Sequence, residues 1–423
     1  MEKVYLHAQL NISATGAIDS SRGLFQHRDA QYELQPLELT CTKPCTLSPA
    51  EAEPKKYILD HVGLLQNSLH DSPLAHRAWV FQERYLSPRI LHFGAKQVFW
   101  ECNEKILCER YPDNPPYKII RNDEHKGFKS NEIQFYQMDK LPQETTDFIN
   151  SEQGRLYLVD RWRTITKAYS KTDITFDSDR AVAISGVGRV LSEVFGQELA
   201  ASMWRCEIQD QLLWHAEQEQ PDDLRRKHRP SKCRGPTWSW LSVEGPITIP
   251  SCVWSRFHYE ILDVFINHGS SPDPNVMVGG SLAVRGHLRR CALIRKQKVA
   301  WGELINTSAV NVGGNEVDVT VILDVGLAHA TGLEHFDELF IMHAGTMNRH
   351  EVSGDAFHYM FVLRCVDSDG GTFERLGMAF CDVARQPHGP ARWRILQEHN
   401  EDAATLPCFA YDIVRRLHTI MIH

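Results

Sequence analysis

In DSPLAHRAWVFQERYLSPRILHFGAKQVFWEC, residues 71–102, Arg77, Glu83 and Arg84 stand close together around Trp79, with Trp100 further on. Two guanidinium groups beside a carboxylate can clamp an anionic ligand, or they can pair with one another and with a neighbouring domain. The second use is the ordinary one for charges on a helix whose opposite face is apolar, and the sequence favours it here. A second constellation is RGPTWSWLSVEGP, residues 234–246. On a strand, Trp238 and Trp240 share a face and can stack a flat ligand or a base. A tryptophan-rich plug between domains is the simpler account, because an acidic chain lacks the basic groove of a stacking site for nucleic acid. Arg77, Trp79, Glu83, Arg84, Trp100, Trp238 and Trp240 are therefore the candidates for an interaction surface or pocket.

The remaining chemistry-bearing residues form no recognisable site. Gly186 and Gly188 in ISGVGRVL lack the third glycine of a dinucleotide loop and read as packing positions. None of the 21 histidines lies in HExxH, and no GxSxG elbow occurs. No catalytic or cofactor-binding residue is assigned, and no cofactor is expected. The 11 cysteines are odd in number and scattered, which suits reduced, mostly buried thiols better than a disulfide framework. Cys41/Cys45 and Cys102/Cys108, combined with His92, are the candidates for a metal site, but neither pair has zinc-knuckle spacing, so no metal site is expected.

The elements that must position these residues follow from periodicity. Ser72 can cap a helix with Pro73 in its first turn, and Leu74, Ala78, Phe81 and Tyr85 then mark one helical face. Pro88 stops it. Arg89–Phe93 and Gln97–Cys102 read as a β-hairpin around Gly94-Ala95-Lys96. Near the start, VYLHAQLNISATGA enters a Gly/Ser/Asp loop, residues 29–56 are proline-punctuated, and YELQPLEL suits a short strand. Residues 103–150 are polar and read as a linker or mobile loop. Helical period returns from Leu156 to Glu219, with Trp162, Ile165, Ala168 and Tyr169 on one face and Leu199, Met203, Cys206 and Leu213 on another. A charged connector, Pro221 to Pro236, leads to a strand-rich last third. There Leu282, Val284 and Leu288 alternate, as do Val317, Val319, Val321 and Leu323, and Tyr359, Phe361, Leu363 and Cys365 precede the turn Asp367–Gly371. An antiparallel sheet or sandwich is expected, closed by VRRLHTIMIH as strand or helix.

Of 423 residues, 42% are hydrophobic and 24% charged, an ordinary globular composition, with net charge −8. The pI near 6.2 provides no general attraction to nucleic acid or anionic membrane. The start of the chain lacks the features of a secretory signal, and no apolar run reaches membrane-spanning length, so a soluble cytoplasmic protein is expected.

Four stretches carry a family resemblance: VYLHAQLNISATGAIDSSRGLF (4–25), RAWVFQERYLSPRILHFGAKQVFWEC (77–102), WRTITKAYSKTDITFDSDRAVAISGV (162–187) and RGPTWSWLSVEGP (234–246). In this order they resemble successive landmarks of the fungal heterokaryon-incompatibility (HET) domain proteins. The resemblance implies non-self recognition after hyphal fusion and the cell death that follows, on a domain distantly similar to TIR domains, some of which cleave NAD. The family segment resembling YLWIDALCIIQ, with its preceding sheet-forming region, is not found upstream of Val4. An independent NADase is accordingly not expected, and no catalytic residue is carried over.

The expected architecture is α+β: the C-terminal half of a HET-like α/β domain in residues 1–110, a linker and helical region in 111–235, and a β-rich domain in 236–423. A truncated α/β sheet exposes an edge and an apolar face unless something covers them. The resulting expectation is signalling by contact with a protein partner or by self-association, without nucleic acid or a membrane span. The alternative is a HET-derived scaffold recruited as an enzyme of fungal specialised metabolism, its aromatic pocket holding a hydrophobic substrate of unknown identity.

Overall fold

The computed structural model describes residues 1–25, 27, 37–41, 55–59, 66–113, 143–217, 229–230, 234–250, 256–268, 277–300, 303–312, 315–324, 339–348, 356–382 and 403–423. The protein is α+β and divides into two compact units. Unit 1 comprises Met1–Phe148 with Thr172–Ile174, and unit 2 comprises Ile149–Lys171 with Thr175–His423. The sequence boundaries at 110 and 235 follow composition; by contacts, the helices after residue 151 group with the strand-rich region. The linker region falls mainly outside the described residues, as do most of the proline-punctuated stretch and the charged connector.

Unit 1 contains α1 (Glu2–Leu6), β1 (Asn11–Ser13), β2 (Leu37–Cys41), β3 (Lys55–Leu59), α2 (Ala78–Leu86), β4 (Arg89–Phe93), β5 (Val98–Cys102) and β6 (Ile106–Cys108). Four strands form one sheet in the order β1-β4-β5-β6, with β1 parallel to β4 and the others antiparallel. β2 and β3 make a separate antiparallel pair. The period-2 alternation of β4 and β5 is realised: Ile90, His92, Phe99 and Glu101 are buried on one face, while Leu91 and Trp100 occupy the other. The hairpin loop is one residue longer than expected, since Phe93 pairs with Val98 and Gly94 N–H donates to Gln97 O at 3.1 Å. Gly16 lies against this loop so closely that a Cβ would come within 2.4 Å of Ala95 N.

The predicted helix exists and buries Phe81 and Tyr85, but it begins five residues later than the Pro73 start. Ser72 does not cap it; its hydroxyl donates to Leu69 O at 2.8 Å. Arg77 is held extended (φ −86°, ψ 124°) by strand-like pairing with Asp173, whose N–H bonds His76 O while its carbonyl accepts from Ala78 N–H. That long-range pairing prevents the preceding residues from entering the helix.

α3 (Gln143–Ile149) closes unit 1. Unit 2 starts with α4 (Glu152–Ser170), capped by the Ser151 hydroxyl, and α5 (Asp179–Phe195). Trp162, Ile165 and Tyr169 form the buried face of α4. Gly186 and Gly188 lie inside α5, and a Cβ on Gly188 would reach 2.6 Å from Leu199 Cδ1, so helix and neighbour meet through that glycine. The second expected helical stretch is corrected: Leu199–Leu213 forms β7 (Leu199–Ala200), β8 (Met203–Trp204), a short 3-10 turn and α6 (Ile208–Gln211). Ala201 and Ser202 adopt left-handed backbone angles, which break the helical period.

The strands of unit 2 continue with β9 (His215–Ala216), β10 (Ile247–Thr248), β11 (Arg256–Phe257), β12 (Tyr259–Asn267) and β13 (Gly279–Gly286). Then come β14 (Leu288–Ala300), β15 (Glu303–Val312), β16 (Asn315–Leu323), β17 (Leu339–Asn348), β18 (Ala356–Asp367) and β19 (Thr372–Asp382), and finally β20 (Ala410–Asp412) and β21 (Leu417–Ile422). β17-β14-β15-β16-β19-β18 are hydrogen-bonded in sequence and β18 returns to β17, closing a ring. β21 joins it in parallel beside β19 and carries β13 and β12 outward. Cys291, Val312, Val317, Val319, Leu339, Ile341, Met360, Val362, Leu376, Ala379 and Cys381 fill the ring as one apolar cluster. The barrel is a packed core rather than a ligand cup.

Candidate functional site

A buried polar network lies in unit 1 and was not among the sequence candidates as a whole. α2 turns Phe81 and Tyr85 to the core, and Arg84, three residues after Phe81, reaches the same interior. Its Nε and Nη2 donate to Glu101 Oε2 and Oε1 at 2.8 and 3.0 Å, a bidentate pair. His92 Nε2 lies 2.8 Å from Glu101 Oε2, and His92 Nδ1 lies 2.9 Å from Thr15 Oγ1. Ser13 Oγ meets Thr15 Oγ1 at 2.9 Å, and Arg84 Nη1 lies 3.3 Å from His70 Nδ1.

This hydroxyl–imidazole–carboxylate order is that of a proton relay, but the charges make it a brace. Arg84 already neutralises Glu101, which weakens the carboxylate as a support for an imidazolium. Thr15, His92 and Glu101 are each 3% exposed or less, leaving no room beside the hydroxyl for a reacting carbonyl. The network ties α2, β4, β5 and the segment after β1 together. Glu101 was legible in principle: period 2 places it on the Phe99 face, where a carboxylate needs a cation.

The sequence candidates of unit 1 therefore separate. Arg84 is buried, a correction to its assignment as surface charge, because the Glu101 carboxylate sits beneath the helix. Glu83 is half-buried and accepts a hydrogen bond from the Tyr5 hydroxyl; burial raises its carboxyl above the usual range and helps push Tyr5 to about 12. Arg77 is exposed at the helix start, Trp79 is 37% exposed, and Trp100 lies half-buried on the far sheet face. They do not converge on one pocket. His92 is committed to the brace, and Cys102 and Cys108 are not joined in a disulfide, while Cys45 lies outside the described residues.

Trp238 and Trp240 are buried in unit 2, though not on a strand: Ser239 precedes a 3-10 turn over Trp240–Ser242 and accepts from Leu241 N–H. Their surroundings explain the burial. Ala201 (φ 48°) and Ser202 (φ 59°) form the β7–β8 turn in a conformation that costs of order 1–3 kcal/mol per non-glycine residue. Three side chains hold it: Ser239 Oγ donates to Ala201 O at 2.8 Å, while Trp162 Nε1 and Trp240 Nε1 both donate to Ser202 O, at 2.8 and 3.1 Å. Trp214 Nε1 donates to Trp238 O at 2.8 Å. The same turn forms one wall of a cavity of about 520 Å³ within unit 2. Trp162 lines it, whereas none of Trp79, Trp100, Trp238 and Trp240 does.

Two further clusters lie against the barrel. Arg375 and Asp324 are essentially unexposed; Arg375 Nε donates to Asp324 Oδ2 at 3.0 Å and Nη1 to Leu212 O at 2.6 Å, with the guanidinium 3.9 Å from the Trp214 ring centre. His258 stacks on His343 at 3.7 Å, His343 Nε2 lies 3.1 Å from His358 Nδ1, and Thr346 Oγ1 is within hydrogen-bond distance of His258 and His358. Burial, followed by neighbouring positive charge, lowers His258 and His358 to about 4 and His343 to about 2. Among the described residues, no group of three His, Cys, Asp or Glu side chains is set to hold a metal ion, and no helix is long and apolar enough to cross a membrane.

Comparison with family models, with curated proteins and with solved structures produced no match.

Proposed function

We propose that this is a HET-like fungal protein that acts by protein contact in non-self recognition and cell-death signalling. The observation that supports the reading is the edge of unit 1. β1 hydrogen-bonds to β4 on one side, and no strand among the described residues pairs with the other. Ile12 on that strand is 56% exposed, and Val4, Leu10, Ile18 and Phe25 of the same N-terminal segment are exposed as well. An open strand edge flanked by apolar side chains is a template for a strand from a partner protein. The sequence resemblance supplies the biological setting.

The enzyme alternative has less behind it. The polar constellation of unit 1 is internally neutralised, and none of Trp79, Trp100, Trp238 and Trp240 lines the cavity.

The test is expression in fungal hyphae with cell death scored after fusion, comparing the natural chain with Ile12→Lys at matched protein level and matched melting temperature. The exposed lysine leaves pairing with β4 intact while charging the edge. Death with the natural chain and survival with the variant are expected. Equal death in both, or turnover of NAD by the purified protein at an enzymic rate, would overturn the proposal.

A further inference from the structure

We infer that the unit 2 cavity is a binding site for a small organic anion with a flat apolar body, a function separate from the strand edge of unit 1. Its volume, about 520 Å³, lies within the range of small-molecule sites. Trp162, Leu199, Val264 and Ile266 supply apolar wall, the Trp162 indole among them giving it a flat surface.

Charge selects the ligand's sign. Arg189 and Arg205 line the cavity against a single carboxylate, Glu198, among its described residues. Glu198 is 84% exposed and stands 3.7 Å from Arg205 Nε, a solvent-screened pairing that an incoming anion can replace. Arg205 Nη1 donates to Val264 O at 3.1 Å, which orients the guanidinium. His268 contributes a buried ring Nδ1 with no hydrogen-bond partner among the described residues, a polar atom that a ligand can satisfy.

The wall is also built with unusual care. Ala201 and Ser202 take the positive φ of a two-residue hairpin turn without being glycine, and two indoles and a serine hydroxyl hold its carbonyls. Strain retained by surrounding structure is characteristic of ligand clamps. The turn fixes the positions of Glu198 and Arg205, which flank it.

Anilinonaphthalene sulfonate, an aromatic monoanion, is the probe, and phenylnaphthylamine is its uncharged counterpart. Fluorescence titration of the full chain is expected to show one saturable site for the sulfonate and binding at least about tenfold weaker for the neutral compound, the scale of a lost charge-assisted hydrogen bond. Arg205→Glu is expected to weaken the sulfonate by about tenfold or more. Ser185→Trp, which fills the cavity from α5, should abolish the site. Should Ser185→Trp fail to fold, the exposed Arg205→Glu substitution decides the matter. Unsaturable binding, equal affinity for both probes, an unchanged Arg205→Glu variant, or loss of binding in Ile12→Lys would each overturn the inference. The last outcome would place the dye on unit 1, whereas failure at the cavity leaves the hyphal test of Ile12 unaffected.

Discussion

The sheet of unit 1 and the barrel of unit 2 are both built from alternating strands, yet they bury different chemistry. The inward face of β4 and β5 holds Ile90 and Phe99 together with His92 and Glu101, whereas the barrel interior is lined by aliphatic, methionine and cysteine side chains. Closure accounts for the contrast. In the ring, every strand is held on both sides, so register is enforced by neighbours and the interior needs only volume and apolarity. Among the described residues nothing pairs with the outer side of β1, and a one-residue slip of β5 would turn Phe99 and Glu101 outward and strand Arg84 in the interior. The ion pair adds the cost of a buried, unpaired guanidinium to the apolar penalty that such a slip already carries.

The largest expected effect breaks this comparison at its polar side. Glu101→Leu leaves Arg84 buried without its carboxylate, and urea unfolding should show a loss of about 3–5 kcal/mol. The double variant Arg84→Met/Glu101→Leu should regain most of it. A single-variant loss under about 1 kcal/mol would show that the brace does not secure the sheet. Arg375→Met should cost a similar 3–5 kcal/mol by orphaning Asp324, showing that unit 2 uses buried charge outside the ring even though its interior does without.

Next in size is a cavity in the ring. Met360→Ala should lower stability by about 2–5 kcal/mol in the same assay, with a value at the lower end if the ring can collapse around the deleted atoms.

Acid should distinguish the units further. His258, His343 and His358 are neutral in the folded protein with lowered pKa values, while in the unfolded chain they titrate near the ordinary 6.5. Their contribution is complete above about pH 6.5 and is lost as pH falls toward 4, continuing toward 2 for His343, because the unfolded state takes up protons first. The slope approaches about 1.4 kcal/mol per pH unit for each such proton. Thermal melts from pH 7 to pH 4 should therefore show a steeper decline for the natural chain than for His343→Phe, and parallel declines would dismiss the cluster as the source. The smallest effect is Ile12→Lys, which should change folding stability by no more than about 0.5 kcal/mol while altering partner contact.

Local pattern made much of this readable. Phe81 and Tyr85 fell on the buried face of α2, the hairpin formed with its alternation intact, and Tyr359, Phe361 and Leu363 led into their turn as strand spacing required. The failures share a cause in non-local pairing. Asp173 holds Arg77 extended and delays the helix, and the left-handed turn at Ala201–Ser202 replaces a helical reading because distant tryptophans stabilise it. The cavity was equally hidden, since α5, the β7–β8 turn and β12 meet there from separate parts of the chain.

Amino-acid order alone determined the α+β mixture, the faces that seek burial and the lack of a catalytic signature, because these depend on residue type and on periods of 2 and 3.6. Only the tertiary structure decided that Arg84 meets Glu101, that β18 returns to β17, and that β1 pairs in parallel with β4. Partner choice of this kind depends on which long-range contacts can be satisfied together, and no local period encodes it.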